Sequence, residues 1–133
     1  MVSGPACAQR VVRVLIADDH ALLRWTLGEL IASDPTLDLV ASCVDGESAV
    51  EEVARLHPDV VVMDLKMPGM GGIEATRRIV HADPQTRVLI LTGHVGQNRR
   101  SAALSAGAAC VLTKDTDPHQ LLDLIRERAR PGA

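Results

Sequence analysis

Short apolar runs alternate with amphipathic segments along most of the chain. The runs are rich in β-branched and aliphatic residues, and several are apolar almost throughout instead of alternating with polar residues. Such runs are typical of strands that are covered on both faces of a parallel sheet. We therefore predict five strands, over residues 11–17, 39–44, 60–63, 88–91 and 110–112.

The segments between these runs have the period of amphipathic helices. Three of them carry apolar stripes, formed by Leu23, Leu27, Leu30 and Ile31, by Ala49, Val50, Val53 and Leu56, and by Leu121, Leu122 and Ile125. Asp117 is the predicted N-cap of the last helix, with Pro118 at its first position. Residues 96–107 are poor in large apolar side chains, which predicts a helix that packs weakly.

The order of these elements indicates the fold class. A strand followed by a helix, repeated five times, predicts an α/β fold with a doubly wound parallel sheet, right-handed crossovers and helices on both faces. At 133 residues the chain accommodates one such domain, which we place at residues 11–129. We expect residues 1–10 to form a disordered tail and residues 130–133 to begin a linker or C-terminal tail.

Composition narrows the classes of function. The sequence is 47% hydrophobic and 23% charged, with a formal net charge of -3, so it has no broad basic surface for nucleic acid. Three cysteines without a CxxC pair indicate neither a disulfide framework nor a zinc site. The start of the chain lacks the apolar region of a signal peptide, and no apolar run is long enough to span a membrane. We therefore expect a cytoplasmic protein with reduced thiols.

Side chains of complementary charge stand at the carboxyl ends of the predicted strands. Asp18 and Asp19 follow the first strand, Asp64 the third, Thr92 the fourth and Lys114 the fifth. In open parallel sheets the active crevice lies outside this edge, so we expect all five to converge. Crowded carboxylates repel one another unless a cation or a proton relieves the repulsion, and Mg²⁺ prefers oxygen ligands. The sequence therefore predicts a magnesium site.

Asp64 is the best candidate for a nucleophile. It enters the loop LKMPGMGG, whose proline and glycines permit tight turns and expose backbone around the carboxylate. An aspartate can attack phosphorus and form an acyl phosphate when a metal screens its charge. Lys114 can bind one phosphoryl oxygen, and the hydroxyl of Thr92 can donate a hydrogen bond to another.

The segments that carry these residues resemble a known family. LIADDH, VVVMDLKMPGMGG, LILTGH and VLTKD match, in order and spacing, the receiver domain of two-component response regulators, and are similar to its NarL/FixJ (LuxR-type) branch. The resemblance covers residues 11–129. It implies a flavodoxin-like fold with strand order 2-1-3-4-5.

The resemblance also implies roles for individual residues. Asp64 would accept a phosphoryl group from a sensor histidine kinase, and Thr92 and Lys114 would engage that group. Asp19, Asp64 and the backbone carbonyl of Lys66 would hold Mg²⁺, with Asp18 assisting through water. Members of this branch usually continue into a helix-turn-helix domain that binds DNA, which this sequence does not contain.

Val111 departs from the family pattern, which usually has Tyr or Phe three residues before the lysine. A valine cannot perform the usual ring rotation, so we expect output through helix rearrangement or through self-association into a homodimer. The departure also supports an alternative, a pseudo-receiver that binds partners without being phosphorylated. A flavodoxin-like electron carrier would need a hydroxyl-rich loop after the first strand and aromatic residues around a flavin. An aspartyl phosphatase would have a second Asp where this chain has Lys66.

Two further residues lie close to the predicted site. His94, two residues past Thr92, would be near enough to the mouth of the site to affect water access to an acyl phosphate. Trp25, the only aromatic residue of the chain, lies off the apolar stripe of its helix and is predicted to be partly exposed. Its ring either covers neighbouring aliphatic surface or contacts the phosphodonor protein.

Overall fold

A computed structural model describes residues 11–93 and 96–129. Within these residues, five strands alternate with five helices. The strands are β1 (Val12–Ala17), β2 (Leu37–Cys43), β3 (Val60–Met63), β4 (Arg87–Thr92) and β5 (Cys110–Thr113). The helices are α1 (Ala21–Ala32), α2 (Gly46–Leu56), α3 (Gly72–Ala82), α4 (Gln97–Ser105) and α5 (Pro118–Arg128). The expectations for residues 1–10, His94 and residues 130–133 lie outside the described residues.

The strands form one parallel sheet in the order β2-β1-β3-β4-β5, which confirms the predicted fold class and strand order. The prediction for the second strand was shifted: β2 begins at Leu37, which pairs with Val12. It ends at Cys43, and the exposed Val44 lies beyond it. The reason is that β2 is an edge strand, whose ends are set by pairing with β1 and not by an unbroken apolar run.

The sheet is covered on both faces, as predicted. Buried side chains of α2, α3 and α4 pack on one face of the sheet, and those of α1 and α5 pack on the other. Alternate residues of the central strands serve the two clusters, so that Val61 and Met63 belong to the first cluster while Val60 and Val62 belong to the second. This double burial explains why the run VVVM is apolar throughout.

The helices differ in how firmly they are attached. Asp117 caps α5 by accepting a hydrogen bond from the backbone N–H of His119, with Pro118 in the first turn, as predicted. In contrast, Ala103 is the one buried residue within α4. The expected weak packing of α4 is therefore present in the structure, next to the edge strand β5.

Gly107 follows α4 and has a φ of +116°, which side-chain-bearing residues rarely adopt. A methyl group there would lie 2.8 Å from Val80 Cγ1. We predict that Gly107→Ala lowers the free energy of unfolding by about 1–3 kcal/mol, because it adds backbone strain to a steric clash.

Gly28, inside α1, is the matched control for this substitution. A methyl group there would meet Leu39 Cδ2 at 3.4 Å, which is ordinary contact, and alanine is the better helix former. Gly28→Ala should therefore leave stability unchanged or raise it by up to about 1 kcal/mol. Urea denaturation of both variants checks the pair, and equal effects of the two substitutions would contradict the prediction.

Candidate functional site

Three aspartates meet at the carboxyl ends of β1 and β3. Asp18 and Asp19 come directly after β1, and Asp64 comes directly after β3, which is the neighbouring strand in the sheet. One carboxylate oxygen from each of the three residues lies within 4.8 Å of the other two. Asp18 and Asp64 are buried, whereas Asp19 is exposed. The structure thus brings together the three carboxylates that the sequence placed at one edge.

Lys114 bridges the two buried carboxylates. Its ammonium nitrogen lies 3.0 Å from Asp18 Oδ2 and 3.3 Å from Asp64 Oδ2. Its backbone N–H donates a hydrogen bond to the carbonyl of Thr92 at 2.8 Å, which ties the ends of β4 and β5 together. All five residues selected from the sequence therefore lie at the same edge of the sheet.

Burial and charge act together on Asp64. Removal from water raises the pKa of this carboxyl, and the nearby charge of Asp18 raises it further, while Lys114 and a hydrogen bond from the Lys66 backbone act in the opposite direction. Burial lowers the pKa of Lys114, but its hydrogen bonds and the charges of Asp18 and Asp64 outweigh that effect and raise it. The negative charge of the cluster is thus only partly compensated, and a further cation would be favourable.

Asp18 and Asp19 are held differently. The side chain of Asp18 accepts hydrogen bonds from the backbone N–H of His20 at 2.8 Å and from Lys114. Its backbone carbonyl accepts one from Arg24 Nη1 at 2.7 Å. The carboxylate of Asp19 has no hydrogen bond or ion pair with the described residues. Asp18 is therefore fixed by protein groups, and Asp19 is available to a ligand.

Sequence reasoning missed two of these contacts. It did not foresee the ion pair between Asp18 and Lys114, whose side chains approach to 3.0 Å. It also gave no role to Arg24. The sequence signals this residue only by its basic side chain in the helix that follows the two aspartates.

The loop after Asp64 passes very close to the start of α3. Gly69 and Gly71 have φ values of +76° and +78°, which allow the tight turns predicted for this loop. A methyl group at position 72 would lie only 2.1 Å from the Asp64 carbonyl oxygen. Glycine at this position is therefore required by the approach of the helix to the strand that carries Asp64.

The donor set fits a hard divalent cation. The carboxylates of Asp18, Asp19 and Asp64 supply only oxygen atoms, which suits Mg²⁺ better than zinc. The backbone of Lys66 lies beside Asp64, so its carbonyl belongs to the same region.

Val111, at the position where the family usually has Tyr or Phe, packs among other apolar side chains. Val111 is buried among the side chains of the α2, α3 and α4 face. Its carbonyl accepts a hydrogen bond from Arg100 Nη1 of α4 at 3.2 Å. This contact joins α4 to the edge strand three residues before Lys114.

The outer face of α1 is apolar and open. Trp25 is 65% exposed and Leu22 is 69% exposed, which confirms the predicted exposure of the tryptophan. The two residues are three positions apart and therefore lie on the same face of the helix. This face begins directly after the aspartates of the β1–α1 turn.

Comparison with known proteins agrees with the geometry. Residues 14–126 match the family described as response regulator receiver domain. The chain is 36% identical over 122 residues to the transcriptional regulatory protein DegU of Brevibacillus brevis, and 32% identical over 120 residues to LiaR of Bacillus subtilis. These matches cover 92% and 90% of this chain but 52% and 57% of the relatives. The chain thus spans about half the length of these regulators.

One of the relatives is named as an enzyme. The chain is 40% identical over 111 residues to a protein-glutamate methylesterase/protein-glutamine glutaminase of Geobacter metallireducens. The match covers 81% of this chain and 32% of that protein. Receiver domains are thus found both in transcriptional regulators and in an enzyme.

Solved structures show the same fold. A LuxR-family response regulator from Aurantimonas sp. superposes with a TM-score of 0.83 at 39% identity, covering 90% of this chain and 85% of the other. The receiver domain of the response regulator NarL from Mycobacterium tuberculosis gives 0.85 at 29% identity, covering 92% and 98%. Among the described residues, no helix is both long and apolar enough to cross a membrane. The chain belongs to the response regulator receiver domain family, in the LuxR/NarL branch of two-component regulators.

Proposed function

We propose that this chain is the phosphoacceptor switch of a two-component response regulator, which receives a phosphoryl group on Asp64 from a sensor histidine kinase in a Mg²⁺-dependent reaction. The observation that carries the proposal is the position of Asp64. Its carboxylate is buried beside Asp18, lies within reach of Asp19, and contacts the ammonium of Lys114.

Asp19, Asp64 and the carbonyl of Lys66 would hold the metal, and Asp18 would assist through water. When bound, Mg²⁺ supplies positive charge that screens the carboxylates from the incoming phosphoryl oxygens. The unengaged carboxylate of Asp19 and the partly compensated charge of the cluster support this assignment.

The transfer itself is a displacement at phosphorus. A carboxylate oxygen of Asp64 forms the new bond to phosphorus, while the bond between phosphorus and the imidazole nitrogen of the donor histidine breaks. The electron pair of the broken bond stays on that nitrogen, and Asp64 becomes an acyl phosphate. Lys114 already contacts an oxygen of Asp64, so a small movement of its side chain brings the ammonium to a phosphoryl oxygen. Thr92, at the end of the next strand, donates its hydroxyl hydrogen to another.

The chemistry of this chain would be limited to gaining and slowly losing one phosphoryl group, so the chain would be a switch and not a metabolic enzyme. The enzymatic name of one relative does not change this proposal, because the match covers only 32% of that protein. A pseudo-receiver would not require an acidic cluster bridged by lysine, so the cluster favours phosphorylation. Val111 does not contact the reacting atoms, so it would affect the conformational response and not the phosphoryl transfer.

The output would be transcriptional. The relatives that match over about half their length are named as transcriptional regulators, so we propose that a DNA-binding domain outside this sequence reads the state of the receiver in the cytoplasm. With Val111 in place of a ring, phosphorylation would act through movement of α4, in which only Ala103 is buried, or through formation of a homodimer.

Incubation with Mg²⁺ and acetyl phosphate should add one phosphoryl group to the chain, detected by intact-mass analysis. Asp64→Asn should abolish the addition because it removes the nucleophilic oxygen. Asp38→Asn, which changes an exposed carboxylate on β2, is the matched control and should be labelled like the parent chain. Full labelling of the Asp64 variant would exclude this residue as the acceptor, and an unlabelled parent chain would favour the pseudo-receiver.

Calorimetric titration with Mg²⁺ should separate the residues around the metal. Asp19→Ala should weaken binding by at least about tenfold, because it deletes a direct ligand. Lys114→Ala should bind Mg²⁺ at least as tightly as the parent chain, because it removes a competing cation from Asp18 and Asp64. Unchanged affinity in the Asp19 variant would contradict the ligand assignment.

Asp64→Asn should raise the thermal midpoint by a few degrees in metal-free buffer, because it removes a buried charge that faces another carboxylate. Saturating Mg²⁺ should shrink the difference, since only the parent chain keeps the full ligand set. Asp38→Asn should show neither effect. A variant less stable than the parent chain without metal would mean that the carboxylate of Asp64 is stabilising in itself.

Trp25→Ala should slow phosphoryl transfer from a phosphorylated histidine kinase several-fold, while labelling by acetyl phosphate stays unchanged. The reason is that the exposed face of Leu22 and Trp25 adjoins the site and offers an apolar anchor to a protein donor. Leu104→Ala, which truncates an exposed apolar residue of α4, is the control. Equal slowing with both donors would show that the substitution had damaged the site instead.

A further inference from the structure

We propose that Arg24 is a positioning residue for the metal site, which acts by fixing the peptide that joins Asp18 to Asp19. This inference rests on the function proposed above. It assigns a role in metal binding to a side chain that would contact neither the metal nor the phosphoryl group.

The polar atoms of Asp18 are all engaged. Its backbone N–H donates to the carbonyl of Cys43 at 3.1 Å, and its two carboxylate oxygens accept from the N–H of His20 and from Lys114. The remaining atom is the backbone carbonyl oxygen, which accepts from Arg24 Nη1 at 2.7 Å. Arg24 therefore completes the set of contacts that holds this residue.

The carbonyl of Asp18 belongs to the peptide group that continues into Asp19. Because a peptide group is planar and rigid, a hydrogen bond to its oxygen also fixes the position of the next α-carbon. The side chain of Asp19 has no hydrogen bond or ion pair of its own with the described residues. The orientation of its carboxylate toward a cation thus depends on the backbone that Arg24 holds.

Arg24 is itself held on a firm element. Its backbone N–H donates to the carbonyl of His20 at 3.0 Å, which places it in the first regular turns of α1. Leu27 and Ile31 of the same helix are buried, so the docking of α1 on the sheet has other anchors than Arg24. Substitution of Arg24 should consequently change the β1–α1 turn more than the fold.

A positioning role and a purely electrostatic role of Arg24 predict opposite changes in Mg²⁺ affinity when its side chain is removed. A guanidinium close to a cation site repels Mg²⁺, so if charge were the only effect, its removal would tighten metal binding. If Arg24 orients the turn, its removal weakens binding, and partners that orient metal ligands are typically worth about 10–100-fold in affinity. The direction of the change is therefore diagnostic.

The experiment is a calorimetric Mg²⁺ titration of the whole chain as Arg24→Met, with unfolding of each protein measured in metal-free buffer. We expect an affinity about tenfold weaker than that of the parent chain. Arg99→Met, on the exposed side of α4, is the matched control and should bind like the parent chain. Unchanged or tighter binding by folded Arg24→Met would overturn the inference.

Arg24→Lys provides the test should the methionine variant not fold. Lysine keeps the positive charge but lacks the reach and the planar fork of the guanidinium. We expect weaker Mg²⁺ binding than in the parent chain, and binding as tight as the parent chain would overturn the inference. If the parent chain itself did not bind Mg²⁺, the proposed function would fail, a result distinct from parent-like binding by the Arg24 variants.

Discussion

The contact of one ammonium group with two buried carboxylates is the constraint around which this edge of the sheet is built. Asp18 and Asp64 leave neighbouring strands, and without Lys114 between them their charges would repel each other in a region removed from water. The backbone of Lys114 is joined to Thr92, so the same residue also connects the ends of β4 and the edge strand β5 to the centre of the site.

The central parts of the fold could be predicted closely from the sequence. The limits of β3 were predicted to the residue, because a strand buried on both faces is apolar over its whole length. The edge strand β2 was displaced in the prediction, because Asp38 and Ser42 are exposed and the apolar run no longer marks the strand. Its true limits depend on pairing with β1, which a local pattern does not contain.

The site could be predicted as a set of residues but not as a set of contacts. Parallel topology places the ends of β1, β3, β4 and β5 at one edge, so charged residues at those positions must approach one another. The hydrogen bond from Arg24 to the Asp18 carbonyl depends on how α1 lies across the sheet and on the rotamer of a long side chain. The spacing of residues along the sequence predicts neither of these. The contact between Arg100 and Val111 could not be predicted for the same reason.

The close approach of α3 to Asp64 has a consequence for how a signal can leave the site. A methyl group at Gly72 would overlap the Asp64 carbonyl, and one at Gly46 of α2 would lie 3.1 Å from the carbonyl oxygen of Gly71, so this loop and the start of α3 are held tightly together. At the β5 edge of the same face, α4 has Ala103 as its one buried residue. A charge added at Asp64 would thus meet a tightly packed loop directly after its own strand and a lightly anchored helix at the β5 edge, and a mechanical response would be easier at that helix.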